Sequence, residues 1–147
     1  MSLNHIFDIA GSGMAAQSIR LNTTASNIAN ADSASSSEGD VYRARKPVFA
    51  AVQQDAMRMA LGGDIMNDQP ENQGVAVQGI IESDAPLDMR YQPDHPMAND
   101  QGYVMYPNVN VVEEMADMMS ASRGFQTNVD IMDAAKTMMQ RLLTLGQ

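Results

Sequence analysis

His5 and His95 are the residues best suited to general acid–base work or metal ligation near neutral pH, and they lie far apart in the sequence. Neither sits in a ligand cluster, whereas metal sites usually show several His, Asp or Glu at short spacing. His5 reads as a helix-face residue and Asp94-His95-Pro96 as a turn. The acids of the central region are scattered, without EF-hand order, as a loop surface would have them. Gly11-Ser12-Gly13 is no phosphate loop, because no lysine follows it and no strand precedes it. Asn22-Thr23-Thr24 matches a glycosylation acceptor but falls inside a helical pattern. Ser122, in "SASRGFQ", has no histidine nearby in sequence, so a helix-face serine outweighs a nucleophile. These residues predict no catalytic, metal or cofactor site.

What must the chain do instead? Its 147 residues suffice for one ordinary domain. Met occurs 14 times while Trp is absent, a composition suited to packing surfaces that adapt. A net charge of −9 argues against nucleic acid, where neutralised phosphates carry most of the affinity. With no cysteine, disulfides and thiolate metal sites are excluded. The first basic residue is Arg20, and Gly11 and Gly13 interrupt any apolar run before it, so a cleavable signal peptide is not expected. No apolar run approaches the roughly 18–20 residues that cross a bilayer. A conventional secretory route is therefore not expected, and a specialised export route that leaves the chain uncleaved stays open.

The prolines divide the chain. All six lie between Pro47 and Pro107. Proline breaks helix interiors, so the ends read as long helices and the middle does not. In the N-terminal segment, Leu3, Phe7, Ala10, Met14, Gln17, Leu21, Thr24 and Ile28 follow a 4-3-4-3 spacing, a coiled-coil seam with the larger side chains at every seventh residue. It predicts a helix over about 3–29. In the C-terminal segment Met115, Met118, Ser122, Phe125, Val129, Met132, Lys136, Met139 and Leu143 repeat the pattern, predicting a helix over about 109–145. Asn108 or Asn110 is placed to cap it, with Glu113 and Glu114 in the first turn, where acids favour the helix dipole. Between the helices, "GVAVQGI" (74–80) alternates like a strand, and "KPVFAAV", "LDMRYQP" and "GYVMYP" are weaker candidates. Residues 53–74 read as an exposed excursion with a possible short helical start.

The predicted fold is mainly α: long N- and C-terminal helices pairing as an antiparallel coiled coil, with a small irregular β-containing segment between them. Its divisions are 1–31 for the first helix, 32–107 for linker, loops and short strands, and 108–147 for the second helix. Ordering a residue costs roughly 1–2 kcal/mol, and a well-buried large apolar side chain returns roughly 1.5–3 kcal/mol. A single seam of five large residues on the first helix is a poor balance. Pairing the helices buries one face of each and leaves apolar positions outside it, a surface that marks interaction. The termini are therefore expected to be partly disordered in the monomer and to fold on assembly.

"LNTTASNIANAD" (21–32) is where a family resemblance enters. It is similar to the N-terminal signature of bacterial flagellar rod and hook proteins, an apolar helix ending in an A-S-N-x-A-N core that Asn27, Ala29 and Asn30 match. The partner signature resembles "NVNVVEEM" (108–115), "SASRGFQTN" (120–128) and "KTMM" (136–139). "IFDIAGSGMAAQSIRLN", "YRARKPVF", "GYVMYPNVNVVEEM" and "LLTLGQ" resemble the proximal members of the flagellar basal-body rod protein family most. Phe125 stands where the family often has tyrosine, and 53–73 has no recognised counterpart.

The resemblance implies a structural subunit of the proximal rod in the periplasm. Such a subunit leaves the cell uncleaved through the flagellar type III export apparatus. It polymerises through its terminal helices, transmits torque and lines the export channel. Implied partners are copies of itself, other proximal rod proteins and the export-gate adaptor at the rod base, without nucleic acid or a membrane span. The assembly interface is expected to use Phe7, Ala10, Met14, Leu21, Asn27, Ile28 and Asn30 on the first helix. On the second it is expected to use Met115, Met118, Ser122, Arg123, Phe125, Val129, Met132, Met139 and Leu143. Asn27 and Asn30 are expected to be buried at a junction between chain segments or subunits, where amides satisfy backbone groups that charges could reach only at high cost. The competing class is a soluble helical adaptor or export chaperone that binds partners without polymerising.

Overall fold

The computed structural model describes residues 3–53 and 72–145. Two long terminal helices enclose two small sheets in the sequence. The first helix, α1, runs Leu3–Ala29, the bounds its spacing predicts. Its end closes on itself: the Asn30 N–H donates to Ser26 O at 3.1 Å, the Asn30 side-chain amide to the same oxygen at 2.8 Å, and the Ser33 N–H to Asn30 O at 3.1 Å. These bonds occupy carbonyls that a helix end otherwise leaves without partners. A single 3-10 turn, Glu38–Asp40, follows.

All four strand candidates form strands. β1 (Arg45–Gln53) pairs with β2 (Asn72–Glu82). β3 (Asp88–Tyr91) pairs antiparallel with β4 (Tyr103–Tyr106), in a register that sets Asp88 opposite Tyr106 and Tyr91 opposite Tyr103. An antiparallel bridge from Ser35 to Met105 adds to the far side of β4. The predicted excursion over 53–74 lies, except for its ends, outside the described residues.

The second helix, α2, runs Val111–Leu145. Asn110 is its cap: Oδ1 accepts from the N–H groups of Val112 at 3.1 Å and Glu113 at 3.5 Å, two of the donors that a helix start leaves unpaired. Asn108, the other candidate, is engaged elsewhere.

The chain forms two compact units. One comprises the described residues of Met1–Ser18, Phe49–Gln78 and Ser122–Gln147, the other Ile19–Val48 and Gly79–Ala121. Ala10, Ala16 and Ala135 are the buried apolar residues of the first. Ala31, Val41, Ala44, Val104, Pro107 and Ala121 are those of the second, with Thr23, Thr24, Asn27 and Glu114 buried beside them. No Leu, Ile, Met or Phe among the described residues is buried. The interior is made of small side chains, and the large apolar ones lie partly or wholly outside it.

Candidate assembly surface

Within the first unit, α1 and α2 meet at their smallest residues. A methyl group at Gly13 would come within 2.9 Å of Asn128 Nδ2, and one at Gly124 within 3.2 Å of Gln17 Cδ. Moving up α1 from 13 to 17 is thus moving down α2 from 128 to 124. Asn128 Nδ2 is held by donating to Gly124 O at 2.9 Å. Within the second unit the two helices are joined by an ion pair, Arg20 Nη2 to Asp117 Oδ1 at 2.6 Å. Both partners are part-exposed, so its contribution is about 1 kcal/mol or less.

These contacts correct the predicted seam. The stripe of α2 that faces inward is Glu114, Asp117, Ala121, Gly124, Asn128 and Ala135. It is displaced by about one residue from the predicted Met115, Met118, Ser122, Phe125 and Lys136 series. Ser122 and Lys136 are exposed where Ala121 and Ala135 are fully buried. The physical reason is distance: glycine and alanine let backbones approach more closely than Met or Phe allow, so the small residues define the contact. The bulky ones flank it. Phe7, Met14, Leu21 and Ile28 on α1, and Met118, Phe125, Val129, Met132 and Met139 on α2, are all half-buried. Ala10 is buried within the chain, and Met115 (55%), Ser122, Arg123 and Leu143 (69%) are exposed.

Asn27 and Asn30 differ. Asn27 is 1% exposed. Its Nδ2 donates to Arg45 O at 2.8 Å, and its Oδ1 accepts from the Arg45 N–H at 2.9 Å and the Tyr42 hydroxyl at 2.8 Å. One amide thus binds the end of α1 to both backbone groups at the start of β1. Asn30 is half-buried, and its side chain serves its own helix end. Within the chain its partner is a carbonyl one turn back rather than a group across a contact.

Asn108 completes the junction. Its Oδ1 accepts from the Ala44 N–H at 2.8 Å, while Nδ2 donates to Ser83 O at 3.2 Å and Ala85 O at 2.9 Å. Residues 44 and 45 are thereby held by asparagines from two directions. The sequence reading weighed Asn108 only as a cap, and it missed Tyr42 and the Arg20–Asp117 pair. Arg20 as the sole cation of α1 was the one available signal.

The outward surface is apolar. On α2, Val112 (76% exposed), Met115 and Met119 follow one another at helical spacing, and Ile131, Met138, Leu142 and Leu143 are exposed further along. Phe49, Val52, Val75, Ile80 and Ile81 are exposed on β1 and β2. Large exposed apolar patches on a soluble chain commonly mark interaction sites. An open groove of about 490 Å³ in the second unit, between residues 85–90 and 107–111, brings Asp32, Asp88 and Arg90 to its walls. They include no nucleophile beside a general base. Among the described residues no group of three or more His, Cys, Asp or Glu is placed to hold a metal ion. No described helix is long and apolar enough to cross a membrane.

Comparison with known proteins places the chain among described relatives. Residues 7–34 match the family model described as flagella basal body rod protein, and residues 100–145 match that of the flagellar basal body rod FlgEFG protein C-terminal region. Over 147 residues, covering all of both chains, the sequence is 48% identical to flagellar basal-body rod protein FlgC of Salmonella typhimurium and 48% identical to that of Escherichia coli O157:H7. It is 34% identical over 154 residues to the FlgC protein of Borreliella burgdorferi, covering all of this chain and 99% of that one.

Proposed function

Because the chain belongs to the FlgC family of flagellar basal-body rod proteins, we propose that its terminal helices pair as an antiparallel coiled coil whose outer faces assemble the rod. The chain is a structural subunit of the flagellar basal-body rod. What supports a polymerising role is the inverted distribution of its apolar residues. Alanines fill the interior, while Val112, Met115, Met119 and Leu143 stand outside it. A head-to-tail contact whose rotation does not close builds an open helical filament, and long helices stacked along its axis resist bending and twist. On this reading the subunit transmits torque, lines the export channel and lies in the periplasm.

It reaches that position uncleaved through the type III export apparatus. There it packs against copies of itself, other proximal rod proteins and the export-gate adaptor. The assembling divisions are 1–31 and 108–147, with 32–107 between them. On this reading the assembly residues divide the work. Ala10 and Asn27 hold the chain together, the half-buried Phe7, Met14, Leu21, Ile28, Phe125 and Met132 line the helix edges, and Met115, Ser122, Arg123 and Leu143 face neighbours.

The test is a Val112→Glu/Met115→Glu variant produced in a flagellate bacterium that lacks its own FlgC. Both sites are exposed, so the free chain should melt within about 0.5 kcal/mol of the wild type. The expected result is loss of swimming and of rods in purified basal bodies, while the wild-type chain restores both. Normal swimming of the variant would overturn the surface assignment. A wild-type chain that binds rod proteins without entering the purified rod would favour the adaptor reading.

A further inference from the structure

The Gly11-Ser12-Gly13 run, which carries no phosphate-loop chemistry, is a three-way joint. Ser12 Oγ donates to Ile9 O, one turn earlier on α1, at 2.8 Å. The same oxygen accepts from the Val75 N–H of β2 at 3.1 Å. Gly13, the next residue, faces Asn128 of α2. Gly74, the residue before Val75, has φ +116°, a conformation that side-chain-bearing residues rarely adopt. A methyl group there would overlap Ser12 Oγ and lie 3.1 Å from Ser12 Cβ and 3.5 Å from Ile9 Cα. The backbone of β2 therefore rests directly on α1 at this point, with no room for a side chain between them.

We propose that Ser12 and Gly74 are positioning residues that tie the placement of the β1–β2 ribbon to the folding of the N-terminal helix. The Ser12 hydroxyl is shared between a carbonyl of its own helix and an amide of β2. Its aim toward Val75 is set by the helical placement of Ile9 O, so the bond exists only when residues 9–12 are helical. The ribbon carries Phe49, Val52 and Val75 exposed on it. These side chains are presented in a defined place once α1 has formed. The functional consequence rests on the rod reading above: a subunit whose α1 is folded brings its ribbon to the rod already in place. The joint itself does not depend on that reading.

The test is hydrogen exchange, followed by mass spectrometry, on the full chain free in solution. Ser12→Ala is expected to speed exchange over 72–78 about 5–10-fold, the worth of one hydrogen bond, and Gly74→Ala to speed it more. Peptides over 100–121, in the other unit, serve as the unchanged reference. Combining the two is the discriminating arm. Removing Ser12 Oγ clears part of the overlap, so the double variant should exchange no faster than Gly74→Ala alone. Effects that multiply would show that the two residues act independently and would overturn the proposal. So would unchanged exchange at 72–78 in Ser12→Ala, a variant whose helix is expected to fold even if Gly74→Ala does not. Because the measurement uses the free chain, its failure is separate from failure of the rod reading, which is decided by whether the wild-type chain restores rods.

Discussion

Asn27→Ala removes three hydrogen bonds from one buried site: to Arg45 O, from the Arg45 N–H and from the Tyr42 hydroxyl. At a net worth of about 1 kcal/mol each, the loss is about 3 kcal/mol. It falls on the junction that holds the end of α1 to the start of β1. Asn30→Ala is the internal control. Its side chain makes one bond, to its own helix and half-exposed, so its loss is expected to cost about 1 kcal/mol or less. Asn27→Asp sharpens the test. A carboxylate still accepts from Arg45 N–H and Tyr42, but it sets a second oxygen against the Arg45 carbonyl and buries a charge. Burial raises a carboxyl above its unfolded pKa of about 3.9. Such a group lowers stability at pH above that value, and the loss fades as pH falls through the raised folded pKa. Asn27→Asp should therefore be at least as unstable as Asn27→Ala near pH 7 and recover relative to it by about pH 4.5. Urea unfolding of dilute chain, followed by far-ultraviolet circular dichroism, measures all three. An Asn27→Ala variant within about 0.5 kcal/mol of the wild type would refute the junction role, as would equal costs at Asn27 and Asn30.

Gly11→Ala and Gly13→Ala should differ in sign or size. A methyl group at Gly11 meets nothing within 4 Å, so the gain in helix propensity of about 0.5–1 kcal/mol is realised. At Gly13 it displaces Asn128, and the gain should vanish in thermal melts. Breaking the Arg20–Asp117 pair should show a coupling of about 0.2–1 kcal/mol in a double-mutant cycle, shrinking as salt is added. A coupling indifferent to salt would place the pair in a more secluded setting than its exposure indicates.

Element existence was legible because it depends on local signals. Prolines confined to 47–107 left the ends free to be helical, and the alternation around Val75 and Val77 marked β2. Asn110 capped α2 because its side chain reaches the next N–H groups, a distance that sequence spacing determines by itself. The face each helix turns inward was not legible. Periodicity locates the most apolar stripe, and in a subunit that meets other chains that stripe need not be the internal one. Here both helices carry two apolar faces, and the larger residues occupy the flanks and the outside.

Tertiary structure decided which face closes. The backbones approach where Gly13 and Gly124 leave room, so the inward stripe of α2 passes through Ala121 and Ala135 rather than Ser122 and Lys136. It also decided what the asparagines do. Asn27 and Asn30 share a motif and a composition, yet one clamps a distant strand and the other its own helix end. The same holds for Asn108, whose partners lie at residues 44, 83 and 85. Hydrophobic period and capping are properties of neighbouring residues, and the sequence alone determined them. Close approach and long-range hydrogen bonding depend on which segments fold together, and the folded chain determined those.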